Sequence, residues 1–279
     1  MLLVDKPPGI TSHDVVAVVR RAARIRRVGH AGTLDPFATG LLVLLLGRGT
    51  RLVGYIDGEP KTYLATIQFG SETDTDDPTG AVIGTAAAPD PDAARQAISR
   101  LTGPIDQVPP AYSAKKVAGE RAYAAARRGA VPALAPARVT VHRWEILAQR
   151  DDALDVRVVC SGGTYVRALA RDLGRLCDSA AHLASLRRVG SGPFAVADAV
   201  PLERVAAGDL PIRPLRAAIP SLPTLVLQPD SLARVLHGNA VPAMVEGARV
   251  ALVDPTGELV AIGERAGDVL QPKVVLRDA

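Results

Sequence analysis

The longest continuous apolar run in the sequence is Leu41 to Leu46, which Gly47 ends. A run of six residues is far shorter than the roughly 18 apolar residues that a membrane-spanning helix needs. Such a run, bounded by a turn residue, is typical of a β-strand that is buried on both faces. The run therefore predicts a sheet that is covered on both sides, in a protein that does not cross a membrane.

The chain has 279 residues, of which 48% are hydrophobic and 22% are charged, and these values are ordinary for a globular protein. The length predicts one large domain, or a large domain with a small companion. The N-terminal sequence MLLVDKPPG places an Asp and two prolines where a secretion signal needs a long apolar core. We therefore expect a cytoplasmic protein whose two cysteines, Cys160 and Cys177, are small buried hydrophobes rather than a disulfide.

Strand-like and helix-like patterns follow one another without a regular alternation. Apolar runs and alternating apolar residues predict strands at 2–4, 41–46, 63–69, 139–147 and 154–160. Helical spacing and capping residues predict helices at 11–26, 91–101, 119–128 and 164–177. The predicted caps are Thr11 or Ser12 for the first, Asp90 for the second and Thr164 for the last. Neighbouring strands without strict alternation favour an α+β fold over a doubly wound parallel sheet.

Prolines cluster between Pro211 and Pro229, which is typical of a linker. Beyond the cluster, the sequence predicts one helix at 230–236 and three short strands around Val250, Val260 and Val275. We therefore expect a large domain over residues 1–220 and a small β-rich domain over residues 221–279.

The net charge of +4 is unevenly distributed along the chain. Residues 1–50 carry +4 and residues 100–188 carry +7, whereas residues 51–99 carry −5 and include an acidic, turn-rich loop at 71–80. Two basic blocks suggest a polyanionic partner. The arginines of the first block, at 20–27, are compatible with a solvated helix face or with a face that binds phosphate.

Aromatic residues are scarce, with five Tyr, three Phe and one Trp. Proteins that bind single-stranded nucleic acid by stacking need a platform of aromatic side chains. If this chain binds nucleic acid, we expect it to do so mainly through charge and shape.

The least ordinary stretch is GHAGTLDPFATG at residues 29–40, which we call the aspartate segment. Its glycines let the backbone approach a ligand closely, and Asp35 precedes a stiff proline. An alternative is that Asp35 caps a short helical turn that begins at Pro36. A second alternative is that Gly29 to Gly32 form the G-x-x-G loop of a KH-type RNA-binding domain.

Two further polar clusters are Lys61-Thr62-Tyr63 and the stretch from Cys160 to Arg167, CSGGTYVR. Arg167 lies in the first turn of the helix predicted at 164–177. It could pair with a buried Asp and keep that carboxylate ionised. Alternatively, it could make a surface salt bridge, which adds little to stability. The sequence has no G-x-G-x-x-G, P-loop or H-E-x-x-H motif, so nucleotide-binding and zincin functions lose support.

Six motifs, in the same order as in the family, resemble the TruB family of tRNA pseudouridine-55 synthases along nearly the whole chain. They are LLVDKPPGITSHDVV (2–16), GHAGTLDPFATG (29–40), KTYLATIQFG (61–70), QVPPAYSAKKVAGERAYAAARRG (107–129), CSGGTYVRALARDLG (160–174) and LASLRRVGSGPF (183–194). The resemblance implies a pseudouridine synthase fold, with a central mixed, mainly antiparallel sheet flanked by helices. It also implies a small β-rich C-terminal PUA-like domain.

The resemblance also implies roles for individual residues. Asp35 would be the catalytic aspartate, and Tyr63 would stack on the flipped base. Arg167 would pair with Asp35, and His30 would help hold the loop open. Tyr165 would contact the substrate, and Leu186 would pack against the uracil.

For partners, the resemblance implies a tRNA T-arm stem-loop, bound in part by the insertion at about 103–130. The RNA phosphate contacts expected there are Lys115, Lys116, Arg127 and Arg128. No cofactor, metal or guide RNA is expected, because the reaction is an isomerisation and the insertion is typical of stand-alone bacterial enzymes. We expect a monomer. The competing hypotheses are a non-catalytic RNA-binding or tRNA-folding protein and a guide-RNA-dependent enzyme.

Overall fold

A computed structural model describes residues 1–112, 116–117, 120–121 and 134–277. Within these residues, the α-helices are α1 (Ser12–Ala23), α2 (Pro91–Arg100), α3 (Val166–Leu176), α4 (Leu202–Ala206) and α5 (Pro229–Leu236). No helix in the described part of the chain is long and apolar enough to span a membrane.

The strands of the first 112 residues are β1 (Leu2–Lys6), β2 (Val28–His30), β3 (Thr39–Leu46), β4 (Lys61–Phe69), β5 (Ser71–Thr73), β6 (Val82–Thr85) and β7 (Gly103–Gln107). Those up to residue 201 are β8 (Lys116–Val117), β9 (Glu120–Arg121), β10 (Ala137–Gln149), β11 (Ala153–Cys160), β12 (Ala181–Ser191), β13 (Phe194–Ala195) and β14 (Val200–Pro201). The last five are β15 (Thr224–Val226), β16 (Val241–Pro242), β17 (Arg249–Val253), β18 (Leu259–Ala266) and β19 (Val269–Val275).

The chain divides into two compact units, and the first comprises residues 1–35, 41–58 and 196–279. In this unit, β1 lies between β3 and β14, and β2 pairs with β3 in antiparallel register. Residues 41–46 are all buried, as the apolar run predicts. Helix α1 packs its valines against this sheet, in a core shared with Leu2, Leu42 and Leu44.

Helix α1 begins where the sequence predicts. The Thr11 hydroxyl accepts a hydrogen bond from the Asp14 N–H (3.1 Å), and the Asp14 carboxylate accepts one from the Thr11 N–H (2.8 Å). This reciprocal pair is a capping box, which satisfies two backbone donors at the start of a helix. The helix ends three residues earlier than predicted, because Arg24 adopts the left-handed conformation with φ 54°.

The C-terminal part of the first unit is a five-stranded sheet in the order β15-β17-β18-β19-β16, with α5 packed beside it. We call it the C-terminal sheet. Its core contains Leu227, Val235, Val250, Leu252 and Leu270. The expected β-rich tail is therefore present. Its function as an RNA-binding domain stays a prediction.

The second unit comprises residues 36–40 and 59–195. Strand β4 lies between β11 and β12, and β11, β10 and β7 follow in order, all antiparallel to their neighbours. The first residues of β3 add a parallel contact, in which Thr39 pairs with Arg187 and Gly40 with Arg188. A mixed, mainly antiparallel sheet with helices is thus confirmed.

Three local predictions are wrong in part. Tyr165, and not Thr164, is the N-cap residue of α3, and it makes no side-chain capping bond. Residues 119–128 were expected to form a helix, yet Glu120–Arg121 is a strand that pairs with Lys116–Val117. The other residues of that prediction lie outside the described residues. The loop at 71–80, expected to be irregular, contains β5 and packs two carboxylates inside the protein.

Candidate active site

The aspartate segment leaves one strand and returns on the next within the same sheet. His30 pairs with Leu44, and the Ala31 N–H donates to the Val43 carbonyl (2.9 Å). Residues 31–38 then form neither a helix nor a strand. Asp35 therefore does not cap a helical turn. The KH interpretation is also wrong, because Gly29 and His30 lie in β2 rather than in an exposed loop.

A buried serine holds the residue before Asp35. The Ser12 Oγ accepts a hydrogen bond from the Leu34 N–H (2.8 Å) and donates one to the Leu34 carbonyl (3.0 Å). Both residues are nearly inaccessible, at 2% and 3% exposure. A hydroxyl can donate one bond and accept others, so this one side chain satisfies both backbone groups of Leu34. The half-buried Asp35 thus extends from a fixed backbone position.

A buried cation lies within electrostatic range of this carboxylate. Lys6 is fully buried, and its Nζ donates to the carbonyls of Pro7 (2.9 Å) and Ile10 (2.7 Å). Burial lowers the pKa of Lys6 to about 8, and the negative charges of Asp35 and Asp14 oppose that fall. The Lys6 ammonium and the Asp35 carboxylate therefore stabilise each other.

In the second unit, Tyr63 and Leu186 lie on one face of the β4–β12 pair. Leu186 is opposite Ala65, and Arg188 is opposite Tyr63. Because side chains two residues apart point to the same face of a strand, these four side chains share that face. All four are buried. The structure therefore brings together two of the predicted substrate-binding residues, Tyr63 and Leu186.

Gly40 is needed where the aspartate segment enters β3. Its φ is 101°, and a Cβ atom at this position would lie 2.2 Å from the Arg188 carbonyl oxygen. Only glycine fits so close to another backbone. The C-terminal end of the aspartate segment is thereby held against β12.

Arg167 makes a buried ion pair with an Asp, as one of the two sequence interpretations predicts, and its partner is Asp77. Its Nη1 donates to the Asp77 carboxylate (3.2 Å) and to the Thr75 carbonyl (2.8 Å), and its Nη2 donates to the Tyr112 carbonyl (3.0 Å). Arg167 and Asp77 are both about 4% exposed. The predicted pairing of Arg167 with Asp35 stays a prediction.

A second buried pair lies beside the first. The Arg171 Nη1 donates to Asp76 (2.8 Å), and its Nη2 donates to the Val108 carbonyl (2.8 Å). Burial raises the pKa of Asp76 to about 6, although Arg171 opposes the rise. Sequence reasoning missed both aspartates, because an acidic turn-rich loop is usually solvated. The signal available was two arginines four residues apart, which share one face of a helix.

Tyr165 is held through its backbone by Gln107. The Gln107 Oε1 accepts from the Tyr165 N–H (2.8 Å), and its Nε2 donates to the Tyr165 carbonyl (3.0 Å). Gln107 is 1% exposed. This amide supplies the cap that the start of α3 otherwise lacks, and it fixes the backbone two residues before Arg167.

The predicted phosphate contacts cannot be placed in the structure. Lys115, Arg127 and Arg128 lie outside the described residues, and Lys116 is described only as part of the backbone of β8. Across the described ranges, no three His, Cys, Asp or Glu side chains come together as metal ligands would.

Two family models match the chain. Residues 20–166 match the one described as TruB family pseudouridylate synthase (N terminal domain). Residues 167–219 match the one described as tRNA pseudouridylate synthase B C-terminal domain. The C-terminal sheet lies beyond both matched ranges.

Curated relatives and solved structures agree with these matches. The tRNA pseudouridine synthase B of Thermobifida fusca (strain YX) is 44% identical, over 99% of this chain and 97% of the relative. That of Paracoccus denitrificans (strain Pd 1222) is 42% identical, over 98% and 95%. A chain in the crystal structure of a Cbf5-Nop10-Gar1 complex superposes with a TM-score of 0.74 at 26% identity, over 99% of this chain and 84% of that one. The expected pseudouridine synthase fold is thus confirmed, and the chain belongs to the TruB family of pseudouridylate synthases.

Proposed function

We propose that this protein converts uridine to pseudouridine at position 55, in the T-arm loop of tRNA, with Asp35 as the catalytic carboxylate. Membership of the TruB family is the observation that carries the proposal. The geometry of the aspartate segment supports it, because Ser12 holds the residue before Asp35 and Lys6 lies within electrostatic range of the carboxylate.

The reaction is an isomerisation of one nucleoside. The N1–C1′ bond of uridine breaks, the uracil turns, and a C5–C1′ bond forms. The C5 proton is lost and N1 gains a proton, so atoms and electrons balance without a redox partner. An ionised Asp35 either attacks C1′, as the carboxylates of glycosidases do, or assists deprotonation of the sugar during glycal formation. Neither route requires a cofactor or a metal.

The target base must leave its stacked position before the carboxylate can act, at a cost of a few kcal/mol. In the proposal, Tyr63 stacks on the flipped base and Leu186 packs against it. Their position on one buried sheet face supports this assignment. His30 helps to hold the RNA loop open.

Arg167 and Tyr165 complete the proposed set of substrate-binding residues. The three hydrogen bonds of Arg167 fix its guanidinium before substrate arrives. The Gln107 amide likewise fixes the backbone from which the Tyr165 ring extends. Groups that are fixed in advance lose little entropy on binding and orient the reacting atoms.

We infer the remaining partners from the family. The insertion contacts tRNA phosphates through Lys115, Lys116, Arg127 and Arg128, and the C-terminal sheet is a PUA-like domain that binds RNA. The protein acts in the cytoplasm, as a monomer and without a guide RNA. Relatives that match nearly the full chain and are tRNA pseudouridine synthases support tRNA as the partner.

Tritium release from unmodified tRNA that carries [5-³H]uridine tests the proposal. The purified protein should release tritium from this tRNA without an added guide RNA. Asp35→Asn should abolish the release while tRNA binding persists. Asp92→Asn, at an exposed position in α2, is the matched control and should be fully active. Full activity of Asp35→Asn would refute the catalytic assignment. Binding without release by the wild-type protein would indicate a non-catalytic or guide-dependent protein.

A further inference from the structure

Five arginines fall within eight residues at the end of α1, in the sequence RRAARIRR at 20–27. No Asp or Glu occurs between Asp14 and Asp35. Arg20 is half-buried and donates to the Val28 carbonyl (3.2 Å). The other four, Arg21, Arg24, Arg26 and Arg27, are exposed, and we call them the arginine cluster.

The arginine cluster differs from most other arginines of the chain in its lack of partners. None of its four guanidinium groups makes an ion pair or a hydrogen bond with the residues that the structure describes. Many exposed arginines elsewhere in the described residues are paired with carboxylates. Examples are Arg95 with Asp92, Arg143 with Glu145, Arg150 with Asp155 and Arg204 with Asp209.

The backbone at the end of α1 presents the cluster outward at a cost in stability. Arg24 is held at φ 54°, a conformation that usually selects glycine at the end of a helix and costs other residues about 1 kcal/mol or more. Ile25 packs against the core on one side of this turn, and Val28 is buried on the other. These two anchors leave the side chains of Arg24, Arg26 and Arg27 at the surface.

A solvated helix end does not explain this arrangement. The helix dipole favours a cation in the last turn, by about 0.3–1 kcal/mol, but like charges one turn apart repel. Neighbouring carboxylates would relieve the repulsion, and the described structure places none against these side chains. An anionic ligand would relieve it equally well.

We propose that the arginine cluster binds the phosphate backbone of the tRNA substrate, in addition to the phosphate contacts proposed for the insertion. The proposal rests on the proposed function for the identity of the polyanion. Guanidinium groups suit phosphate because they can donate two parallel hydrogen bonds to it. Arg27 and Asp35 are eight positions apart in the chain, so the two lie at most about 29 Å apart. The phosphates that the arginine cluster contacts therefore belong to RNA near the target uridine.

The salt dependence of tRNA binding tests this proposal. Each phosphate contact contributes about 0.7–0.9 to the slope of log K against log salt concentration. The variant R21Q/R24Q/R26Q/R27Q should therefore lower the slope by about 3 and weaken binding at physiological salt at least about tenfold. The control R95Q/R143Q/R150Q/R204Q removes the same charge from ion-paired positions and should keep the wild-type slope and activity.

The two halves, R21Q/R24Q and R26Q/R27Q, keep the test decisive if the fourfold variant fails to fold, and each should lower the slope by about half as much. A wild-type slope in the folded cluster variants would overturn the proposal. The arginine cluster would then be a solvated surface or a binding site for an acidic protein. Equal losses in the cluster and control variants would also overturn it, because the effect would then be one of net charge. Tritium release by the wild-type protein tests the proposed function separately, so the two failures are distinguishable.

Discussion

Replacement of Ser12 by alanine tests whether the hydrogen bonds between Ser12 and the Leu34 backbone position the candidate catalytic carboxylate, Asp35. We call these two hydrogen bonds the clamp. The substitution removes both hydrogen bonds to Leu34 and leaves the Leu34 N–H and carbonyl without a partner in a buried place. A buried polar group that loses its partner costs about 1–3 kcal/mol. Two such groups predict a loss of about 2–6 kcal/mol in the free energy of unfolding.

The same substitution should slow the chemical step. Without the clamp, Leu34 moves to find water or another partner, and Asp35 moves with it. A displacement of about 1 Å at a reacting group can reduce the rate about 100-fold. We expect the single-turnover rate at saturating tRNA to fall about 10- to 100-fold in Ser12→Ala, with little change in tRNA affinity.

Ser179→Ala is the matched control, because Ser179 is also buried and its hydroxyl donates to the Ala87 carbonyl (2.7 Å). Urea unfolding should show a loss of stability in both variants, whereas the single-turnover rate should fall only in Ser12→Ala. Equal rates in the two variants, at a temperature where both are folded, would refute the positioning argument. Ser12→Thr keeps the hydroxyl and should recover part of the rate.

Three further predictions follow from buried groups. Asp77→Asn removes a buried carboxylate that pairs with the buried charge of Arg167, and thermal unfolding should show a loss of about 3–5 kcal/mol; an unchanged melting temperature would contradict this. Lys6 has a pKa of about 8 when folded and 10.5 when unfolded, so the unfolded chain binds more protons between these values. The free energy of unfolding, measured by urea denaturation, should therefore rise with pH across that window in the wild type, relative to Lys6→Met. If the free energies of the two proteins changed in parallel with pH, the prediction would be wrong. Gly40→Ala should prevent folding or lower the melting temperature sharply, because no space exists for its Cβ. Gly208→Ala, at φ 95° in open space, should cost only about 1 kcal/mol, and equal effects would show that strain alone matters.

Local features of this chain were predictable because they depend on neighbours in sequence. The apolar run at 41–46 forms a buried strand, and Thr11 and Asp90 cap α1 and α2. A six-residue run and a side chain that bonds to a backbone N–H two or three residues later need no distant partner. The aspartate segment and the order of the motifs were likewise visible in the sequence.

Some local predictions failed where a distant residue competes. Gln107 caps α3 at Tyr165, so Thr164 is not needed as a cap. The sequence indicates only an acidic, turn-rich loop at 71–80, whereas Asp76 and Asp77 are buried against arginines about 90 residues away. A charge is buried only when a partner compensates it, and no local pattern shows where that partner will lie.

Motifs and periodicity are properties of neighbouring residues, so the family, the candidate catalytic residue and the class of fold could be predicted without coordinates. The contacts that hold those residues in place are visible only in the folded chain. Ser12 reaches Leu34 across 22 residues, and Arg51 and Asp57 contact Val275 and Ser221 of the C-terminal part. Such contacts form only when the hydrophobic core brings distant segments together, since the loss of chain entropy must be offset by burial elsewhere.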